Sequence, residues 1–252
     1  MDFLSKLGLI CLANLLAILP IAFWVYLFLR RDRANPEPTK WLSGCFIAGM
    51  LIAPIIIGYE TLLINNSPFI ANLPVLNFRL IMVFGGAIIE ELVKFFIIYF
   101  ILRYNPYFDE PIDAVIYLIM GAAGFALVEN VMISASLSME LVDIFTITGT
   151  YFGRFLGANL LHVVTAAVIG FTWGFLAKEK IEIREKKKGI FWALVFGTSI
   201  HALFNFLVFT YGETGRLLAS LGLVLIFVIV FLSLGKLDIK NSLFFKSKLI
   251  ED

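Results

Sequence analysis

The sequence predicts an all-α fold, a polytopic transmembrane helical bundle that forms a single domain over residues 1–252. Hydrophobic residues make up 60% of the chain and charged residues only 15%, whereas a soluble domain carries about 25% charged residues. The apolar residues also fall into runs of about 20, the length at which a helix crosses the hydrocarbon core of a bilayer. With a formal net charge of +1 the chain has no basic surface to spare for phosphates, so we expect the lipid bilayer and no nucleic acid as a partner.

About seven apolar runs are candidate spans. The first is expected to be an uncleaved anchor, since its arginine cluster at 30–33 follows the apolar run instead of preceding it. Pro54 and Gly58 interrupt the second run, but a membrane helix tolerates both residues when it is buried in a bundle. The motif-bearing core covers about residues 78–211. The seven runs are 7–29, 41–64, 78–101, 113–136, 150–176, 190–211 and 216–235.

The charges of the loops predict an outside N-terminus and a cytoplasmic C-terminus. Loops 30–40, 102–112 and 177–189, together with the C-terminal tail, hold 15 of the 20 Lys and Arg residues. The positive-inside rule places such loops in the cytoplasm. The outer segments 65–79 and 136–149 are then candidate gates or substrate contacts, and an ordinary connector is the alternative for each.

Polar and ionisable side chains lie inside four of the spans. A charged residue at the bilayer centre costs about 2.5–3.5 kcal/mol on insertion scales. On the predicted topology these residues lie near the midplane or in the outer half, which indicates one buried polar cluster that opens outward. The residues are Glu90, Glu91 and Lys94 in the third span, Glu129 and Asn130 in the fourth, Arg154 and His162 in the fifth, and His201 and Asn205 in the sixth.

Helical spacing predicts how these side chains are arranged. Glu90 and Lys94 are four residues apart and share a helix face, in the order that favours an ion pair. Glu91 is rotated by about 100° from Glu90, so the two carboxylates can serve different partners. His201 and Asn205 also project from one face. The ordinary alternatives are a neutralised Glu90–Lys94 pair and histidines that only hydrogen-bond between helices.

The fourth span has its own signals at each end. Gly121 and Gly124 precede Glu129 and are expected to let another helix backbone come close, as small residues do in membrane interfaces. At the other end, the carboxylates within 109–113 are expected to lie at a helix start, where negative charge favours the helix dipole.

The motifs resemble a known family. EELVK (90–94), DEPIDAVIY (109–117) followed by GFALVEN, Arg154 with His162, and HALFN (201–205) are similar, in this order, to the blocks of the PrsW-type intramembrane proteases. A looser similarity links the chain to the CAAX protease and Abi superfamily, where a histidine stands in place of Glu129. The resemblance implies a bacterial plasma-membrane protein that makes the first, site-1-type cut in a membrane-tethered substrate such as an anti-sigma factor.

The resemblance, together with the residue types, suggests catalytic roles. Hydrolysis needs an activated water, a group that stabilises the oxyanion and a proton donor for the leaving amine. Glu90 or Glu91 is the expected base, and by resemblance His201 and Asn205 form the oxyanion hole. His162 is a second acid/base or a metal ligand, and the candidate ligands for one zinc are His162, His201 and Glu91. Because the chain lacks an HExxH motif, we favour a metal-free glutamate mechanism, with zinc as the alternative. Glu129 is a further candidate catalytic residue, supported by Lys94, Asn130 and Arg154.

Three other functions use the same pattern. Buried Glu, Lys and His residues are also typical of a proton- or ion-coupled transporter, although the chain shows no internal repeat of the kind common in transporters. A non-catalytic scaffold or immunity-type relative would keep the fold, but it would not need to keep both histidines together with the glutamate pair. An enzyme acting on prenylated substrates is expected to face the cytoplasm, which conflicts with the depths predicted above.

Overall fold

A computed structural model describes residues 3–31, 35–66, 80–140 and 143–251. Within these residues the chain is helical and contains no β-strand, which confirms the predicted all-α class. The helices are α1 (Phe3–Leu29), α2 (Thr39–Asn66), α3 (Gly86–Leu102), α4 (Pro111–Glu140), α5 (Ile144–Leu156), α6 (Ala158–Lys178) and α7 (Ile183–Glu251), and a π-helical turn (Ile81–Gly85) leads into α3.

In the described part of the chain, five helical stretches are long and apolar enough to cross a membrane. Helix α3 is not among them, since it has 17 residues and carries three charges in its middle. The count of seven spans and the orientation of the termini remain predictions. The five stretches are Ile10–Leu29, Thr39–Tyr59, Pro111–Leu137, Ile144–Lys178 and Ile183–Leu234.

Two glycines shape the long stretches. Gly157 separates α5 from α6, so the predicted fifth span consists of two helices. Two backbone hydrogen bonds, from Gly157 N to Gly153 O (2.9 Å) and from Leu161 N to Gly157 O (2.8 Å), connect the end of α5 to the start of α6. Gly212 has a φ of +56° and bends α7, a backbone conformation that favours glycine. This bend falls between the predicted sixth and seventh runs.

Helices α4 and α6 form the centre of the bundle. Helix α4 packs against α1, α2 and α6, and α6 also packs against α7. Their buried side chains include Tyr117, Phe125 and Leu160. On the peripheral helices the exposed side chains are themselves apolar, such as Leu51 (64% exposed) and Leu225 (63% exposed). Water would not favour such surfaces, whereas a lipid bilayer does.

Close backbone contact joins α2 to α4. A Cβ added at Gly124 would collide with the carbonyl group of Phe46, and one added at Gly49 would collide with the carbonyl group of Gly121. Helix α2 also continues through Pro54 without interruption. The expectation that Gly124 admits a neighbouring backbone is therefore confirmed, and this contact fixes the position of the helix that carries Glu129.

Adding a methyl group at Gly124 is expected to weaken the bundle. Overpacking a close contact typically costs about 1–3 kcal/mol, so Gly124→Ala should lower the melting temperature and the yield of folded protein in detergent. The matched control is Gly44→Ala in α2, where an added Cβ meets nothing within 4 Å. Because alanine favours helix over glycine, the control should leave stability unchanged or raise it. Equal melting temperatures for the two variants would contradict this packing.

A second polar cluster lies at the start of α4. Tyr117 donates a hydrogen bond to Glu37, and Asn105 donates to the Tyr117 hydroxyl at 2.9 Å. The Asp113 carboxylate accepts from the backbone N–H groups of residues 109 and 110 at 2.8 and 2.6 Å. The DEPIDAVIY segment therefore ties α4 to the residues just before it and to Glu37, which precedes α2, and Asp113 lies in the first turn of the helix, as expected.

The two segments proposed as gates differ in what the structure describes. Residues 67–79 of the first segment lie outside the described residues. In the second segment, α4 continues to Glu140 and α5 begins at Ile144. Asp143 caps α5 by accepting from the N–H groups of Phe145 (2.8 Å) and Thr146 (3.0 Å), so most of this segment is helical.

Candidate active site

Helices α3, α4, α6 and α7 bring the glutamates, the lysine and both histidines of the spans to one place. Helix α3 contributes a Glu-Glu-x-x-Lys turn, and α4, α6 and α7 each contribute one residue that contacts it or its partners. The side chains are largely shielded, with exposed fractions of 2–3% for Glu91, His162 and His201, 11% for Glu90 and 23% for Glu129. The sequence-predicted cluster therefore exists as one buried network, which is most accessible at Glu129.

The two carboxylates of α3 share their partners. Lys94 Nζ lies 2.7 Å from Glu91 Oε1 and 3.8 Å from Glu90 Oε2. His201 Nδ1 lies 2.7 Å from the same Glu91 oxygen, and its Nε2 lies 3.9 Å from Glu90 Oε2. The two carboxylates therefore face the same two groups but differ in their contacts, since only Glu91 lies within hydrogen-bonding distance of them.

His162 connects this group to α4. Its Nδ1 lies 3.0 Å from Lys94 Nζ, and its Nε2 lies 3.1 Å from Glu129 Oε2. A lysine ammonium can only donate and a carboxylate can only accept, so the neutral ring has its proton on Nε2. The His162 and His201 rings meet edge to face at a centroid distance of 5.5 Å.

Arg154 points into the bundle and not to its surface. Its Nη2 donates to Glu129 Oε2 at 3.0 Å and its Nε to Asn130 Oδ1 at 2.5 Å. Asn130 in turn donates to the carbonyl of Ala17 in α1 at 2.8 Å. Arg154 and Asn130 thus hold Glu129 in place. By contrast, Asn205 is only half-buried, and among the described residues no hydrogen bond joins it to the cluster.

Three side chains of the cluster lie close enough together to hold a metal ion. One ligand atom each from Glu90, His162 and His201 lies within 4.8 Å of the other two. Within the described residues, Glu90 Oε2 is buried without a hydrogen-bond partner. His201 engages Glu91 through Nδ1, and His162 engages Glu129 through Nε2. Carboxylates in such positions orient metal-binding histidines in proteins.

These residues fit a divalent metal with three protein ligands. The set differs from the expected one, because Glu90 takes the place of Glu91. The reason is that Glu91 Oε1 is already bound by Lys94 and His201. The charges point the same way, since three carboxylates (Glu90, Glu91, Glu129) face two permanent cations, Lys94 and Arg154. With neutral histidines the cluster carries one net negative charge, which a cation would offset.

The prediction from sequence missed Asn159, which lies one helical turn before His162. The residue is 0% exposed, and among the described residues neither its Oδ1 nor its Nδ2 has a hydrogen-bond partner. Buried amides are nearly always hydrogen-bonded. The signal in the sequence was an amide three residues from a histidine, within an otherwise apolar run.

The chain is similar to known proteins over most of its length. The family described as PrsW family intramembrane metalloprotease matches residues 37–234, which include every residue of the cluster. A protein named Protease PrsW from Clostridioides difficile (strain 630) is 28% identical over 196 residues, 77% of this chain and 78% of that protein. Another Protease PrsW, from Geobacillus kaustophilus (strain HTA426), is 24% identical over 188 residues, 75% of each chain. No solved structure matches the chain significantly.

Proposed function

The chain belongs to the PrsW family of intramembrane metalloproteases, and from this premise we propose that it hydrolyses a peptide bond in a membrane-tethered protein with the buried Glu/His cluster. It is an intramembrane protease, and its substrate is a membrane protein. The proposal concerns which side chains perform the chemistry and which proteins are cut.

The observation that carries the proposal is the position of Glu90. Its Oε2 is buried and lacks a hydrogen-bond donor within the described residues, while Lys94 and His201 lie just beyond hydrogen-bonding distance at 3.8 and 3.9 Å. A carboxylate left open in this way is available to accept a proton from water or to bind a cation. Glu91 is not available in the same way, because its Oε1 is occupied by Lys94 and His201.

The family's metal would be held by Glu90, His162 and His201. When bound, it supplies Lewis-acid polarisation of the attacking water or of the scissile carbonyl. The protein's own groups prepare the site: Glu91 and Glu129 fix the orientation of the two imidazoles, and Arg154 fixes Glu129. In the metal-free alternative, Glu90 accepts the proton of water and later returns it to the leaving amine. Both assignments make Glu90 indispensable.

The exposed fractions support entry of the substrate at the Glu129 end. Glu129 is 23% exposed and Arg154 is 15% exposed, against 2% for Glu91. With the N-terminus outside, as the loop charges predict, this end faces the outer leaflet. We therefore propose a site-1-type cut in a bacterial plasma-membrane protein, with a membrane-anchored anti-sigma factor as the substrate class that the motif resemblance implies.

The experiment uses purified protein in liposomes and a set of single-span reporters that carry juxtamembrane sequences of anti-sigma factors. We expect one new product whose mass places the cut at or near the outer end of the span. The same liposomes, loaded with a pH-sensitive dye, test proton-coupled transport, because the path from Glu90 to Glu129 through Lys94 and His162 is also a possible proton relay. Proton flux without any cleavage would overturn the proposal.

A further inference from the structure

We propose that Asn159 is a catalytic residue that donates a hydrogen bond from Nδ2 to the carbonyl oxygen of the scissile peptide bond. The inference rests on the proposed function, and it assigns the oxyanion-stabilising role to a residue outside the recognised motifs. Three observations on α6 support it: the lack of partners of the amide, its distance from His162, and the helix end on which it lies.

The first observation is that the Asn159 amide is unsatisfied. The residue is 0% exposed, and within the described residues its Oδ1 and Nδ2 have no partner. An amide buried in this way destabilises the fold, since it loses its hydrogen bonds to water and gains none from the protein. A leucine would fill similar volume without that loss. The presence of an amide that destabilises the free enzyme is explained if the amide forms a hydrogen bond in the substrate complex.

The second observation is its position relative to His162. The two residues are three apart in α6, so their Cβ atoms lie on neighbouring parts of the helix surface, about 5–6 Å apart. His162 belongs to the cluster through Lys94 and Glu129. Asn159 therefore lies one turn of α6 from the imidazole at which the proposed reaction takes place.

The third observation concerns the start of α6. Asn159 is the second residue of this 21-residue helix, and no side chain caps its N-terminus at Gly157. The first N–H groups of a helix lack intrahelical acceptors, and the helix dipole places partial positive charge there. Negative charge that develops on a carbonyl oxygen beside Asn159 would be stabilised by both the amide and this helix end.

Other candidates for the same role are less suited to it. His201 already engages Glu91 through Nδ1 and faces Glu90 through Nε2. Asn205 is half-buried, so water can satisfy its amide in the free enzyme. Asn159 has neither a protein partner in the described residues nor contact with solvent.

The test is Asn159→Leu in the liposome cleavage assay, with kcat and KM measured for a reporter that the wild-type protein cuts. Loss of one oxyanion donor typically lowers kcat by about 10²–10³-fold, and we expect this loss with KM changed by less than about twofold. The melting temperature should stay unchanged or rise, because the variant removes an unpaired amide. This combination is not expected of a structural residue, whose loss lowers stability.

Thr165→Val is the matched control. Thr165 is also 0% exposed and three residues from His162, but its hydroxyl donates a hydrogen bond to the His162 carbonyl at 3.2 Å. The kcat of the Thr165→Val protein should therefore stay near the wild-type value. If Asn159→Leu retains wild-type kcat, or if Asn205→Leu alone reduces kcat, the assignment of Asn159 is overturned while the protease function stands. A wild-type protein that cuts no reporter would instead count against the proposed function and, with it, this inference.

Discussion

Replacing Glu90 with glutamine is expected to reduce cleavage by about 10³-fold or more while the protein still accumulates in the membrane. Glutamine keeps the volume of glutamate but offers neither a proton acceptor nor an anionic ligand. No hydrogen bond of the described residues depends on the Oε2 atom, so the fold should lose little. The measurement is the initial rate of reporter cleavage at matched protein concentrations in liposomes.

Two controls separate loss of chemistry from loss of structure. Glu185→Gln changes a 54%-exposed glutamate at the start of α7 and should leave the rate unchanged. The melting temperature and gel-filtration profile of Glu90→Gln in detergent should match the wild type. A Glu90→Gln protein that folds normally and still cleaves within about tenfold of wild type would exclude Glu90 both as base and as essential ligand.

The second large effect concerns the metal. Purified protein is expected to carry about one divalent metal ion per chain, lost together with activity in Glu90→Ala, His162→Ala and His201→Ala. Glu91→Gln should retain a site of about 10–100-fold lower affinity, because Glu91 orients His201 without being a ligand itself. Elemental mass spectrometry of size-excluded protein, followed by titration of metal into chelator-treated samples, gives both quantities.

The metal affinities of the Glu90 and Glu91 variants show which of the two glutamates is the metal ligand. If Glu91→Gln abolishes binding and Glu90→Gln does not, then Glu91 is the ligand, as first expected from the sequence. If the active wild-type protein carries no metal and a chelator has no effect on cleavage, then Glu90 acts as the base of a metal-free reaction. Arg216→Gln serves as a neutral control, since Arg216 pairs with Glu213 and packs beside Gly153, and among the described residues no hydrogen bond or ion pair joins it to the cluster.

Much of the fold and the membership of the cluster followed from the sequence. Apolar runs of span length predicted the helices, and the structure brings together the Glu, Lys and His residues that the sequence placed at one depth. The small residue at Gly124 also predicted the close approach of α2, because a glycine on a helix face leaves room for a neighbouring backbone.

The remaining features depend on how helices cross, which periodicity does not describe. The spacing of Glu90 and Glu91 gives their directions around α3 but not the positions of the side chains from α6 and α7. That His201 and Lys94 lie 2.7 Å from Glu91 but 3.8–3.9 Å from Glu90 could therefore not be predicted from the spacing. For the same reason the lack of partners at Asn159 was not visible in the sequence, because it depends on which groups the helices packed against α6 place beside it.

The break at Gly157 was also missed. An apolar run that continues through a glycine reads as one span, since glycine is common in membrane helices. One contact at the break is local and one is tertiary: a Cβ at Gly157 would lie 2.6 Å from Gly153 O in the preceding turn and 3.3 Å from Phe204 in α7. The start of α6, and thus the position of Asn159 near its N-terminus, depends on this contact.

The most direct test of the central claim is to identify the cleavage product. Wild-type protein and Glu90→Gln would each be reconstituted with a single-span reporter, and the products measured by intact mass spectrometry. We predict a single cut at or near the outer end of the apolar segment, made by the wild type and absent from Glu90→Gln. Identical products from both proteins, at equal rates, would contradict catalysis by the buried Glu/His cluster.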